Sequence, residues 1–263
     1  MKIKSIKKVP FVGYVYNLGV EKVHNYYCQG MLVSNCYAKG NPKGVHYTNT
    51  AQKIKDFFGP MTENQRPYQV AIGGSQEPLE HPEFADALKT FCDLGIVPNY
   101  TTNGVLFNEQ SVELTKKYCG GIAITCHPHL REHWTAAIDL ALKNGLRINL
   151  HIMLSDATSI EYAKVIYNEY NGKVDYFVLL PHMNVGFASH NPKIINYDLI
   201  ETWLDEVSTF GNIAFGANFY QFLKRKKKWD ISLYPPEILS KYLVCDDLMS
   251  IYNNSFDATT DFV

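Results

Sequence analysis

From Lys2 to Asn35 the chain carries only the pattern of β-strands. Apolar and polar residues alternate through Ile3-Lys4-Ser5-Ile6, short apolar runs follow at Val15-Tyr16-Asn17-Leu18-Gly19-Val20 and Met31-Leu32-Val33, and Gly13, Gly19 and Gly30 punctuate them. No helix fits this segment. Beyond a Gly/Asn/Pro loop at residues 40–44 the pattern changes to strand, loop and helix in repetition. Phe84, Ala87, Leu88 and Phe91 form a stripe at i, i+3, i+4 and i+7, with Pro82 placed to open the helix and Gly95 to end it. Similar runs predict helices near 48–58, 108–118, 131–143, 158–170, 197–209 and 236–251. Short apolar segments predict strands at 68–73, 97–102, 121–126, 147–153, 176–181 and 212–219. Strands separated by helices favour parallel βαβ units with right-handed crossovers, hence an α/β fold, either a barrel or a doubly wound sheet.

With 263 residues and 46% hydrophobic content, the chain can bury one large core or two unequal ones. No run approaches the roughly 20 apolar residues of a membrane helix, so a soluble, cytoplasmic protein without a membrane partner is expected. The net charge of −1 hides an asymmetry: residues 1–35 hold five lysines against Glu21, leaving the remainder acidic on balance. A short, basic, β-rich piece too small for its own core reads as half of an interface with an acidic partner. The six cysteines (Cys28, Cys36, Cys92, Cys119, Cys126, Cys245) are scattered and form no CxxC pair, which argues against a disulfide framework and against a self-contained zinc site.

The junction at Ser34-Asn35-Cys36 carries its own chemistry. An Asn amide can attack its own backbone carbonyl and cleave the chain through a succinimide, and positioning alone supplies much of the rate of such an intramolecular step. A Cys thiolate at Cys36 can accept an acyl group, and His24 can move the protons near neutral pH. The two blocks running from Val15 to Tyr27 and from Gly30 to Cys36 resemble the last conserved blocks of inteins, and the segment is most similar to C-fragments of naturally split inteins of the bacterial DNA polymerase III type. The resemblance implies a Hint-fold fragment at residues 1–35 with His24, Ser34, Asn35 and Cys36 as its catalytic set. It also implies an acidic intein N-fragment, carrying the N-terminal extein, as partner. The chain departs from the common intein pattern at Ser34, where His is frequent, and at Asn17, where an acidic residue is frequent.

From Cys36 onward the chain resembles the radical S-adenosylmethionine enzymes. Cys36-Tyr37 matches the end of their CxxxCxxC motif. Gly73-Gly74-Ser75-Gln76-Glu77-Pro78-Leu79-Glu80-His81-Pro82-Glu83-Phe84 matches the GGEP motif that ends the second strand, and Thr101-Thr102-Asn103-Gly104 ends the third. The resemblance implies a partial (β/α)6 TIM-like barrel over residues 36–263 that lacks its first strand and first two cluster cysteines. Cys36 is the implied metal ligand, for a [4Fe–4S] cluster whose two further ligands come from a separate N-terminal chain. Gly73, Gly74, Ser75, Gln76, Glu77 and Pro78, with Thr102 and Asn103, are implied to bind S-adenosylmethionine. Splicing at Cys36 restores the motif, so the whole reads as a precursor that splices in trans to yield an iron–sulfur enzyme of undefined substrate. The alternative is a non-catalytic, partner-binding β extension on an inactive barrel scaffold.

The remaining candidates are plainer. Cys28, Cys92, Cys119 and Cys245 read as packing residues, whereas Cys126, His127, His129 and His151 fall at or within barrel strands and can line the cavity. The basic run from Lys224 to Lys228 reads as a solvated stretch beside Trp229, and a nucleic-acid partner is not expected.

Overall fold

The computed structural model describes residues 25–28, 31–34, 49–73, 77–182, 195–206, 212–215, 243–244 and 251–252. Strands β1 (Asn25–Cys28) and β2 (Met31–Ser34) pair antiparallel, with Asn25 opposite Ser34 and Cys28 opposite Met31. The barrel part then alternates α1 (Thr50–Phe58), β3 (Gln69–Ile72), α2 (Phe84–Asp93), β4 (Val97–Thr102), α3 (Glu109–Tyr118) and β5 (Ile122–Thr125). It continues through α4 (Arg131–Lys143), β6 (Ile148–Leu154), α5 (Ala157–Tyr170), β7 (Tyr176–Pro181), α6 (Tyr197–Glu206) and β8 (Ile213–Phe215). The described elements from α1 to α6 match the sequence expectations within two residues, except that the end expected for α6 lies outside the described residues.

Strands β3 to β8 run parallel in sequence order, each joined to the next through a helix, and form a half-barrel. A short strand β9 (Leu243–Val244) joins the free edge of β3 in parallel, and β10 (Ile251–Tyr252) pairs antiparallel with β9. At Leu243–Val244 and Ile251 this corrects the helix expected over 236–251, the rest of which lies outside the described residues. Short apolar runs do not distinguish helix from strand, and the open backbone groups of the β3 edge offer hydrogen-bond partners that the local pattern cannot reveal.

Burial alternates along the strands. Val70, Ile72, Tyr100, Ile122, Ile124, Ile148, Leu150, Ile152, Leu154, Phe177 and Leu179 face the helices and are essentially fully buried. Helix stripes meet them: the Phe84 ring of α2 lies 5.1 Å from Tyr100, and Tyr167 of α5 lies 4.9 Å from Phe177. The Tyr100 hydroxyl is shared with Thr115 Oγ1 on α3 at 2.7 Å, so the phenol enters the core without losing its hydrogen bond. The opposite face of the sheet is only partly covered and forms the concave wall of the half-barrel.

Helix ends follow their local chemistry. Asn108 and Asp156 close capping boxes with Ser111 and Ser159 at the starts of α3 and α5. Gly95, with φ 73, takes the left-handed position after α2 that its sequence role required. The start of α1 is capped from a distance instead. Glu83 accepts from Asn49 N (3.2 Å), Thr50 N (2.8 Å) and Thr50 Oγ1 (2.8 Å), binding the first helical turn to the loop that opens α2. Arg66 donates to the carbonyls of Phe58, Gly59 and Leu94, all at 3.1 Å, and ties the far ends of α1 and α2 together.

Glu83→Ala should therefore destabilise the fold by about 1–2 kcal/mol, the range of a lost helix cap. The hydrogen bonds from Thr50 hold the Glu83 carboxyl below its ordinary pKa. Its contribution is present at neutral pH and lost as pH falls through the carboxylate range. Thermal melts of the native chain and the variant should converge in acid, and a constant gap down to pH 3 would contradict the assignment.

Candidate active site at the strand ends

In α/β barrels the loops after the strands carry the chemistry, because their backbone groups and side chains converge over the open end. Here the loops after β3 and β4 are linked. Gly73 follows β3 with φ 150, a backbone that side-chain-bearing residues rarely adopt, and a Cβ there would lie 3.6 Å from the Thr101 Cβ. Four residues on, the half-buried Glu77 reaches across so that its Oε2 accepts from Asn103 N at 2.8 Å. Pro78 is buried at the start of a single 3-10 turn, and His81 is buried with Nδ1 accepting from Glu83 N at 3.1 Å. The motif from Glu77 to Glu83 thus joins β4 at one end and α1 at the other.

The Thr101-Thr102-Asn103-Gly104 turn is fixed just as closely. Asn103 Oδ1 accepts from Val105 N at 2.9 Å, and Thr102 Oγ1 accepts from Gly104 N at 3.0 Å. Gly104 has φ 86, and a Cβ there would come within 2.8 Å of Trp134 Cα, so the turn lies directly against α4. Thr102 is buried on the helix-facing side of β4 together with Tyr100. Its neighbour Thr101 takes the concave position. Strand alternation is the signal that points to Thr101, once the face of Tyr100 is known.

At the end of β5, Cys126 is buried and burial pushes its thiol well above the ordinary range, which leaves it protonated and inert. Cys119 is likewise pushed up to about 12, chiefly by burial, and burial also raises Cys92. His127 lies beside His129, with ring centroids 5.5 Å apart. Burial, and secondarily the neighbouring imidazole, lower His127 from 6.5 to about 4, and burial lowers His129. The His127 carbonyl accepts from Trp134 Nε1 at 2.9 Å, which anchors this loop to α4. His151 stands on the concave face of β6, and burial lowers it from 6.5 to about 4, so both His127 and His151 are neutral at physiological pH.

The structure therefore brings Gly73, Glu77, Pro78, Thr102 and Asn103 to two adjacent strand ends. Gly74, Ser75, Gln76, His24, Asn35 and Cys36 lie outside the described residues, and of Ser34 only the backbone is described. Among the described residues no group of three or more His, Cys, Asp or Glu side chains could hold a metal ion, so these residues do not by themselves fit a cluster site. No described helix is long and apolar enough to cross a membrane.

No family model matches the sequence, and no curated protein does. Solved structures do share the fold. SuiB of Streptococcus suis bound to S-adenosylmethionine superposes with a TM-score of 0.56 at 14% identity, over 85% of this chain and 57% of that one. SuiB bound to its precursor peptide SuiA gives 0.53 at 10% identity, over 81% and 64%. Native anSMEcpe with bound AdoMet gives 0.58 at 12% identity, over 84% and 71%. This chain thus spans less than two thirds of the SuiB chains. The six parallel strands and their helices make up the fold that this chain shares with these structures.

Proposed function

We propose that residues 36–263 are most of a radical S-adenosylmethionine enzyme and that residues 1–35 are the C-fragment of a split intein that completes it by trans-splicing. The observation that carries the enzyme reading is the Glu77–Asn103 link. It holds the Gly73 loop against the end of β4 in a half-barrel that shares its fold with structures containing S-adenosylmethionine. Gly73 leaves backbone open to a ligand, and Glu77 offers a carboxylate suited to an ammonium group, so the loop from Gly73 through Gly74, Ser75 and Gln76 to Pro78 receives the amino-acid portion of the cofactor. Asn103 contributes the backbone donor that orients Glu77, whereas Thr102, on the helix-facing side of β4, acts only by holding the turn through Gly104 N. When bound, the cofactor supplies radical chemistry by reductive cleavage of its sulfonium. This chain's residues bind it, orient it and keep water from one side of it. Peptides accompany two of the matching structures, SuiA with SuiB and Cp18Cys with anSMEcpe, which supports a peptide substrate here.

The splicing reading rests on the order of residues around the junction. Ser34 ends β2 opposite Asn25, and in the sequence His24 stands just before β1 and Asn35 just after β2. Asn35 cleaves by cyclisation, Cys36 accepts the acyl group, and His24 serves the proton transfers. The acidic N-fragment brings the two cluster cysteines, and Cys36 becomes the third ligand. Soft thiolates suit an iron–sulfur cluster, whereas a single one does not retain it.

Asn35→Ala should abolish release of residues 1–35 when the chain is mixed with its N-fragment, as read by intact mass. Normal release would remove the splicing reading. The unspliced chain should bind no iron under reconstitution with iron and sulfide, and the spliced product should take up one [4Fe–4S] cluster. Cys36→Ser should still splice, more slowly, but lose cluster absorbance and 5′-deoxyadenosine formation. Undiminished 5′-deoxyadenosine from that product would exclude Cys36 as a ligand.

A further inference from the structure

Three Asn-Gly pairs occur in the chain: Asn103-Gly104, Asn144-Gly145 and Asn171-Gly172. At such a pair the backbone nitrogen of the glycine can attack the side-chain carbonyl carbon of the asparagine. The roles are the converse of those at Asn35, where the side-chain nitrogen attacks the backbone. The glycine puts no side chain in the way and the step is intramolecular, so its rate depends on whether the two groups are free to meet. The dipeptide is the same in all three places, but the fold treats the three differently.

At the first two pairs the reacting groups are held. Gly104 N donates to Thr102 Oγ1 at 3.0 Å, and Asn103 Oδ1 accepts from Val105 N at 2.9 Å. Gly145 N donates to the Leu142 carbonyl at 3.0 Å, while the Asn144 side chain donates to the Leu140 carbonyl at 3.0 Å and accepts from Lys116 Nζ at 2.9 Å. Asn171 differs in each respect. It ends α5 with φ −59 and ψ 131, an extended value that turns the next N–H away from the helix carbonyls. Gly172 N makes no hydrogen bond to another described residue, and nothing lies within 4 Å of the place where a Cβ on Gly172 would stand. The Asn171 side chain is exposed, and its one hydrogen bond to a described residue is long, with Asn212 Nδ2 donating to its Oδ1 at 3.3 Å.

We infer that Asn171 is a self-modification site, where the folded chain converts an amide to an acid without an enzyme. Gly172 N forms a bond to Asn171 Cγ, the Cγ–Nδ2 bond breaks, and the nitrogen leaves as ammonia with the proton given up by Gly172 N. Water then opens the succinimide at either carbonyl, giving aspartate by one route and isoaspartate by the other, and no electrons are exchanged with an outside partner. Aspartate keeps an oxygen for Asn212 Nδ2. Isoaspartate instead adds a carbon to the main chain between Asn171 N, which donates to the Tyr167 carbonyl at 2.8 Å, and Lys173 N, which donates to the Tyr170 carbonyl at 2.9 Å. Just beyond, Asp175 clamps the entry to β7, its N donating to the Ile148 carbonyl at 2.9 Å and its Oδ2 accepting from Ile148 N at 2.8 Å. A longer chain between these fixed points strains the start of β7, at the end of the strands opposite the Gly73 loop. The site depends on neither the cofactor reading nor the splicing reading.

The test ages the full chain at mildly alkaline pH, native and in denaturant, and follows the three peptides by mass spectrometry. The ratio of native to denatured rate should be near unity at Asn171 and at least about fivefold lower at Asn103 and Asn144, the factor imposed by one hydrogen bond on the reacting groups. Asn171→Gln should abolish conversion in this turn, because its ring closure is slower, and leave the other two pairs unchanged. Isoaspartate, counted by enzymatic methyl transfer, should accumulate at residue 171 and lower the Tm of the aged chain below that of Asn171→Asp. Protection of Asn171 equal to that of the other pairs, or faster native conversion at either of them, would overturn the site. An aged chain rich in isoaspartate that melts like Asn171→Asp would overturn its effect on β7.

Discussion

A parallel strand in this fold must satisfy two faces at once, and the helices between strands can cover only one of them. That single demand organises the barrel. Val70, Tyr100, Ile124, Leu150 and Phe177 meet the helices and are almost completely removed from water. At roughly 25 cal/mol for each Å2 of apolar area, this face supplies the main driving force for folding. The other face is then free of any packing duty. It collects Thr101, Thr125, Asn149 and His151, residues that a fully enclosed core would tolerate only with partners of their own.

The loops at the strand ends are held by a few polar contacts between elements distant in sequence. Glu77 binds the end of β4, Glu83 binds the start of α1, and only five residues lie between the two. A movement of this segment is therefore felt both at the proposed cofactor wall and at the helix that follows the junction region. Gly104 adds a steric reason for the rigidity of the β4 turn, since no side chain fits between it and the α4 backbone. The site is preorganised by hydrogen bonds whose partners need no charge of opposite sign.

In the proposed reading one cysteine, Cys36, serves two chemistries in succession, first as acyl acceptor and then as a soft metal ligand. Both require a thiolate, which explains why one residue can do both. The described cysteines offer no substitute, because burial raises the pKa of Cys92, Cys119 and Cys126 and keeps each of them a thiol.

Much of this was legible in the order of residues. Alternation and i, i+3, i+4 stripes placed the helices and strands from α1 to β7, and Gly73 and Gly104 follow from local backbone needs, whereas the caps at Asn108 and Asp156 came only with the structure. The motif from Glu77 to Glu83 marked the site, but its long-range bonds to Asn103 and Thr50 were not visible, since a carboxylate's partner is chosen by three-dimensional approach. The same limit applies to Thr101 and Thr102, adjacent and chemically identical, which the pleat sends to opposite faces. It applies to Leu243–Val244 as well, whose strand conformation goes with the open edge of β3 rather than with its own helical pattern. The neutrality of His127 and His151 likewise depends on the protein packed around each ring. From α1 to β7 the sequence by itself determined which segments are helix and strand, because periodicity is a local property. Only the tertiary structure decided which groups meet and which stay charged, because desolvation and hydrogen bonding depend on neighbours brought together from far along the chain.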